Sequence, residues 1–305
     1  MAAALQARAL RPGARVGIAA PAGVVDPDRV EAGEQALRAL GFEPVRRSDL
    51  TERSGYLAGE DSRRSAELNE LVASPDIDAI LCARGGYGSS RLLGRLDVET
   101  FRRARKPLVG YSDITSLLLW QWRVAGLMGI HGPMLERLEG LGGENGESLA
   151  NALLGEALPP AMPARPVVGG RAEGRLLGGS LTLVTASLGT AWEIETRGCI
   201  LLLEEIGESP YRMDRMLEQL RSAGKFEALA GVGVGTLVDC RDERFPERDA
   251  EVVLREFFEP LGVPVLFDLP FGHGERNLAW PFGGLAALDG DRGELELLES
   301  AVTPR

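Results

Sequence analysis

Residues 107–122 read Pro-Leu-Val-Gly-Tyr-Ser-Asp-Ile-Thr-Ser-Leu-Leu-Leu-Trp-Gln-Trp. Pro107 to Tyr111 form a short apolar run of strand length, and Ile114, Leu117, Leu118 and Trp122 then recur at the spacing of one helix face. A strand that turns directly into a helix is the repeating unit of α/β proteins, and the unit recurs upstream. Arg15 to Ala20 reads as a strand, a turn follows around Pro21 and Gly23, and Asp26-Pro27 caps a helix running to Gly41. Phe42 to Arg46 is the next strand and Ser62 to Ala73 an amphipathic helix. Asp78 to Ala83 is an apolar strand that ends in Arg84-Gly85-Gly86-Tyr87-Gly88. Strands alternating with helices imply a mostly parallel sheet that presents its carboxyl edge to ligands.

The 305 residues suffice for one large domain or, more comfortably, two of ordinary size. Past Gly155 the sequence becomes dense in proline and glycine, which regular elements tolerate poorly, so residues 159–174 are the expected linker between domains at 1–158 and 175–305. The second half holds an apolar strand at Cys199 to Leu203 and a helix from Pro210 to about Ala223 with Ser209 as its cap. Further strands fall near Gly231 to Val238 and Val263 to Phe267.

Lysine and arginine number 34 against 45 acids, a formal charge of −11. That balance argues against the phosphate attraction behind nucleic-acid binding and against docking on anionic lipid, and favours a small substrate. Arg8, Arg11 and Arg15 break up the apolar residues near the start, and no apolar run approaches the roughly 20 residues of a membrane span. A cytoplasmic protein is expected. Cys82, Cys199 and Cys240 are too few and too scattered for a disulfide framework or a zinc site, and read as small core residues. With two histidines far apart and no clustered Asp/Asn loop, no metal-ligand set is expected.

His131 and His273 are the chain's entire supply of imidazole. His273 sits between Gly272 and Gly274, whose small size leaves both ring nitrogens accessible; His131, between Ile130 and Gly132, has a similar setting in the same half as Ser112. Ser112 stands where strand becomes helix. It reads either as a nucleophile elbow, with Gly110 in place but Ile114 where a second glycine belongs, or as a helix N-cap. The Gly85-Gly86-Tyr87-Gly88 turn lacks the third glycine of a dinucleotide fingerprint. It can bring backbone N–H groups close to an oxyanion, or serve as an ordinary tight turn. Glu204 and Glu205 end an apolar strand, where one of them could orient an imidazole.

Taken in order, Arg84-Gly85-Gly86-Tyr87-Gly88, Gly110-Tyr111-Ser112-Asp113-Ile114-Thr115, His131-Gly132-Pro133-Met134, Leu203-Glu204-Glu205-Ile206-Gly207-Glu208 with Tyr211-Arg212-Met213-Asp214-Arg215, and Gly272-His273-Gly274 resemble the LD-carboxypeptidase family from about Arg15 to Asp289. The resemblance implies a flavodoxin-like amino-terminal domain, a smaller β-rich carboxyl-terminal domain and a Ser-Glu-His triad drawn from both. Ser112 would be the nucleophile, His273 the base and Glu204 the residue that orients it, with Glu205 as fallback. The backbone N–H groups of Gly86 and Asp113 would form the oxyanion hole, and His131 would be structural or face the substrate. Arg84, Tyr87, Arg212 and Arg276 are the candidates for holding the substrate.

The implied reaction is release of terminal D-alanine from muropeptide tetrapeptides during wall recycling, by a homodimer that needs no cofactor and no metal. The alternatives are hydrolysis of an aminoacyl-nucleotide of the microcin C type, with Trp192 or Trp280 stacking on the base, and a non-catalytic protein that holds a cell-wall peptide or nucleotide. Two departures stand out. Ser180 follows Gly178-Gly179 where the family often has asparagine, and no obvious insertion separates Glu204 from His273, which favours the peptidoglycan role.

Overall fold

The computed structural model describes residues 5–136 and 141–303. It divides into two compact units, Met1–Leu158 with Leu278–Phe282 and Ser300–Arg305, and Pro159–Asn277 with Gly283–Glu299.

The first unit contains β1 (Arg15–Ala19), α1 (Pro27–Ala39), β2 (Glu43–Arg46), α2 (Asp61–Ala73), β3 (Ala79–Cys82), α3 (Val98–Ala104), β4 (Leu108–Gly110), α4 (Thr115–Trp120), β5 (Gly129–His131) and α5 (Gly143–Leu154). Each element follows from local chemistry. Pro27 opens α1 with its φ preset, and the Asp26 carboxylate accepts the backbone N–H groups of Asp28 and Arg29. Every residue of β3 is buried, as a strand covered on both faces requires. On α2, Leu68, Leu71 and Val72 form the buried stripe. Strands β2, β1, β3, β4 and β5 lie side by side in that order and run parallel. This is the doubly wound order of flavodoxin-like sheets, with its reversal between β1 and β3.

The second unit contains β6 (Met162–Pro163), β7 (Arg165–Val168), β8 (Arg171–Ser180), α6 (Leu181–Ala186), β9 (Cys199–Ile206), α7 (Pro210–Ser222), β10 (Gly231–Val238), α8 (Ala250–Phe258) and β11 (Val265–Phe267). The chain then returns to the first sheet as β12 (Trp280–Phe282), antiparallel to β5, before adding β13 (Leu285–Asp289) and β14 (Glu294–Leu297) to the second. The second sheet has eight strands in the order β6-β14-β13-β8-β9-β10-β11-β7, with β8 to β11 parallel and the flanking strands antiparallel. This smaller, β-rich unit thus has an α/β heart of its own.

Three expectations need correction. The segment at 159–174, read as a linker, instead forms β6, β7 and the start of β8. Its prolines are tolerated because β6 and β7 are the two edge strands, where a missing N–H breaks no central ladder. Residues 278–282 and the segment from Ser300 onward group with the first unit rather than with a continuous 175–305 domain. Ser209 stands at the N-cap position of α7, but its side chain accepts no capping hydrogen bond. The three cysteines are all buried. Burial pushes the Cys199 and Cys240 thiols up to about 11 and the Cys82 thiol higher still, so none is a ready nucleophile. No helix among the described residues is long and apolar enough to cross a membrane.

One buried carboxyl makes stability depend on pH. Glu67 of α2 accepts the N–H of Ala20 at 2.7 Å and pairs with Arg63 at 2.6 Å, yet burial lifts its pKa to about 7, with Arg63 opposing the rise. An acid whose folded pKa is raised holds its proton in the folded state while the unfolded chain has lost it. Its contribution is therefore fully present near pH 4 and declines as pH rises toward 7. We expect Glu67→Gln to abolish a loss on the order of 3 kcal/mol that the wild type suffers between pH 4.5 and 8. Urea unfolding at the two pH values would show parallel losses in both proteins if Glu67 titrates normally.

Candidate active site

In the first unit the carboxyl edge of the sheet gathers three loops. The turn after β1 meets the glycine-rich turn after β3 where Gly23 N–H donates to the Gly85 carbonyl at 3.0 Å. Ser112 follows β4 with φ of +61°, a left-handed conformation that a serine adopts only under constraint. An N-cap residue is extended. Ser112 therefore does not have cap geometry, and the extended position at the start of the helical turn belongs to Tyr111. A Cβ added to Gly85 would lie 2.9 Å from both Cβ and Oγ of Ser112 and 3.3 Å from the Asp113 nitrogen, so only glycine lets the turn approach this closely.

Gly86 and Gly88, with φ of +100° and +128°, shape the rest of the turn. Asp113 is buried and locked: its Oδ2 accepts Ser89 N–H at 2.8 Å and its carbonyl accepts the Ser89 hydroxyl at 2.7 Å. Beside Ser112, His131 is fully buried between Tyr111 and Trp280, its ring stacked on the indole at 4.6 Å between centroids. His131 is thus a packing residue beneath the edge, and Trp280 is equally buried. Trp192 is half-buried.

The turn has a support that its own sequence does not reveal. Arg64 of α2 is fully buried, and its Nη1 donates to the carbonyls of Pro21 and Gly88 while Nη2 pairs with Asp61. One guanidinium thereby ties the loops after β1 and β3 together. Removing it leaves two buried carbonyls without this donor, while Asp61 keeps Arg91 at 2.9 Å. Arg64→Met should cost about 3 kcal/mol in chemical denaturation, and a loss under about 1 kcal/mol would mean that water replaces the guanidinium without difficulty.

In the second unit β9 ends in adjacent carboxylates that point to opposite faces. Glu204 is fully buried and places Oε2 2.6 Å from Nδ1 of His273. Glu205 turns the other way: Oε2 accepts the N–H of Thr182 at 2.8 Å and its hydroxyl at 2.7 Å, and Oε1 accepts Ile206 N–H at 2.9 Å. Burial raises the Glu205 pKa, opposed by those hydrogen bonds. Of the two acids, Glu204 is the one that meets the imidazole.

Three hydrogen bonds from two side chains hold the His273 loop. Asn277 Oδ1 accepts Gly272 N–H at 2.9 Å, and Thr236 Oγ1 accepts Gly274 N–H at 3.0 Å while donating to the Phe271 carbonyl at 3.1 Å. Gly272 has φ of +107°, and a Cβ there would lie 2.7 Å from Thr236 Oγ1 and 2.9 Å from Glu204 Oε2. Gly272→Ala should therefore push the carboxylate off the ring and lower kcat about a hundredfold with little change in substrate affinity. Steady-state kinetics with a direct binding measurement would separate the two effects, and an unchanged kcat would show that the dyad tolerates displacement.

Arg84 is half-exposed and donates to the Val24 carbonyl at 2.7 Å, with Glu136 at 4.0 Å. Tyr87 is exposed in the glycine-rich turn and packs edge-on against exposed Tyr56 at 5.8 Å between centroids. In the second unit Arg212 is exposed on α7, 3.6 Å from Glu208 and stacked on Tyr211. Arg276 is exposed in the His273 loop and lines a groove of about 660 Å³ with Thr236, Asp249 and Asp268. Thr236, Asn277 and Arg64 escaped sequence reading. Asn277 carried a faint signal in its nearness to His273; a threonine at a strand end and an arginine on an amphipathic helix carried none. Among the described residues no group of three or more His, Cys, Asp or Glu side chains is placed to hold a metal ion.

The first unit presents a hydroxyl on a constrained backbone against a glycine-rich turn, and the second a carboxylate-oriented imidazole. Comparison with known proteins agrees with that content. Residues 16–132 match the model of the LD-carboxypeptidase N-terminal domain and residues 173–288 that of the LD-carboxypeptidase C-terminal domain. The murein tetrapeptide carboxypeptidase of Pseudomonas aeruginosa is 36% identical over 291 residues, covering 91% of this chain and 94% of its own. The solved structure of muramoyltetrapeptide carboxypeptidase from Oxalobacter formigenes matches with a TM-score of 0.83 and 28% identity, over 93% of this chain and 97% of its own. The structure of MccF in complex with glutamyl sulfamoyl guanosine matches with a TM-score of 0.89 and 26% identity, over 98% of this chain and 100% of its own.

Proposed function

Because this chain belongs to the LD-carboxypeptidase family, we propose that it is a serine carboxypeptidase that releases terminal D-alanine from muropeptide tetrapeptides. The observation that carries the reading is the 2.6 Å contact between the buried Glu204 carboxylate and His273 Nδ1, the pairing a base needs to hold one tautomer and to stabilise its own protonation. The constrained backbone at Ser112 supports its role as nucleophile.

In the proposed cycle Ser112 Oγ attacks the carbonyl carbon preceding D-alanine while His273 Nε2 takes the hydroxyl proton. The N–H groups of Gly86 and Asp113 hold the oxyanion of the tetrahedral intermediate. As the C–N bond breaks, His273 passes its proton to the departing amine and D-alanine leaves the tripeptide as an ester on Ser112. Water then gives a proton to His273 and its oxygen to the ester carbonyl, and collapse returns the proton to Ser112. No step calls for a cofactor. Arg84, Tyr87, Arg212 and Arg276 are the side chains assigned to the substrate's carboxylate and peptide. The family resemblance supports a homodimer acting in the cytoplasm.

The similarity to MccF supports a second reading, cleavage of an aminoacyl-nucleotide. Burial of Trp280 leaves that indole no face for a base, so under this reading the half-buried Trp192 is the one left to stack on it. Incubation of the purified protein with the tetrapeptide, its D-alanine-free product and an aminoacyl sulfamoyl nucleotide, followed by mass spectrometry, tests the choice. Loss of one alanine from the tetrapeptide alone is expected. Retention of alanine with cleavage of the nucleotide would replace the first reading by the second.

A further inference from the structure

The first unit has a cavity of about 590 Å³ at the amino-terminal edge of its sheet, the edge opposite Ser112. It is bounded by the segment before β1, the end of α2 and the end of α3. Five cations line it, Arg8, Arg11, Arg103, Arg105 and Lys106, against one carboxylate, Asp78. None of the five has an acidic partner within salt-bridge distance among the described residues. Elsewhere arginines are commonly paired, as Arg165 is with Glu251 and Asp268 and Arg248 with Asp214 and Glu256. In a chain of net charge −11, this concentration of unpaired positive charge runs against the composition.

Structural duties account for part of it. Lys106 Nζ donates to the carbonyls of Leu71 and Ser74, closing the carboxyl end of α2, and the Arg105 guanidinium donates to the Gln6 carbonyl. Arg103 reaches the Thr100 hydroxyl at 3.3 Å. Allowing about half a negative charge for each of the two helix ends and a full one for Asp78, the lining still keeps roughly +3. The side chains of Arg8 and Arg11 make no hydrogen bond among the described residues, so their guanidinium groups remain available. Burial also lowers the Lys106 pKa to about 8, a shift that a nearby anion would reverse.

We propose that this cavity binds a compact polyanion carrying two or more phosphate groups. The volume exceeds that of one phosphate, the charge matches a multiply charged anion, and the walls offer no aromatic face for a base. Recognition rests on the phosphate chain, whether free or as the tail of a nucleotide. The site is independent of the carboxypeptidase reading.

Calorimetric titration of the full chain at constant ionic strength with orthophosphate, pyrophosphate, tripolyphosphate and ATP tests this. One saturable site is expected, with tripolyphosphate at least about tenfold tighter than orthophosphate. ATP matching tripolyphosphate would identify a nucleotide tail as sufficient, and ATP binding much more weakly would identify the free chain. The doubly substituted Arg8→Glu, Arg11→Glu variant should bind at least about tenfold more weakly. The control pair Arg95→Glu, Arg123→Glu, exposed arginines outside the cavity, should bind like wild type, with circular dichroism confirming that both variants fold. Absence of saturable binding, or equal weakening in both pairs, would overturn the proposal.

Discussion

Ser112→Ala is expected to lower kcat on a muropeptide tetrapeptide by about 10⁴-fold or more while leaving the dissociation constant of the peptide nearly unchanged. The substitution removes one oxygen and little else. Alanine carries the same Cβ as serine, so the strain of φ +61° and the contact with Gly85 are the same in both proteins. The backbone N–H groups of Gly86 and Asp113, the proposed oxyanion donors, stay in place, so some rate above the uncatalysed reaction should persist. Stability should change by less than about 0.5 kcal/mol. D-alanine release gives kcat and calorimetry gives the affinity. A variant within tenfold of wild-type turnover would place the nucleophile elsewhere, and a variant that lost binding as well would show that the hydroxyl serves the ground state.

Glu204→Gln should lower kcat by about 10⁴-fold, because an amide set against Nδ1 can donate to the ring and favour the wrong tautomer, and it cannot stabilise the imidazolium of the proposed cycle. Glu205→Gln is the matched control. That carboxylate is one residue away and also buried, but it serves Thr182 and Ile206, so its loss should cost about 1 kcal/mol of stability and leave kcat nearly intact. The two variants differ only in which face of β9 is altered. Equal losses of kcat would show that the strand end matters as a block of charge rather than through one oriented contact.

How far the sequence disclosed this structure depended on whether the relevant physics was local. β1, β3 and β4 could be read because each is a short apolar run that burial keeps clean, and β2 because it falls between two helices with their own stripes; β5, only Gly129–His131, has no such run and went unread. β6 and β7 were hidden by Pro159, Pro160, Pro163 and Pro166, which argue against a central strand but not against the edge positions the two strands occupy. β12 is three residues long and pairs with β5 from far along the chain, so nothing local marks it.

The candidate site shows the same division. Ser112 and His273 stood out by position and scarcity. Glu204 could not be told from Glu205, because alternation on a strand fixes that neighbours face opposite ways and not which way the sheet is turned. The left-handed backbone of Ser112 followed from packing against Gly85, a contact between loops after different strands. Arg64 was invisible for the opposite reason: a charge on an amphipathic helix reads as solvent-facing, and only the tertiary fold reveals two carbonyls in need of a donor.

Proton transfer from Ser112 Oγ to His273 Nε2 is the central step of the proposed cycle. Its most direct test is the rate at which a fluorophosphonate modifies the protein, followed by peptide mapping, in wild type and in His273→Ala. A single adduct on Ser112, formed at least about a thousandfold more slowly without His273, is the predicted result. An unmodified Ser112, or one modified equally fast in both proteins, would contradict it.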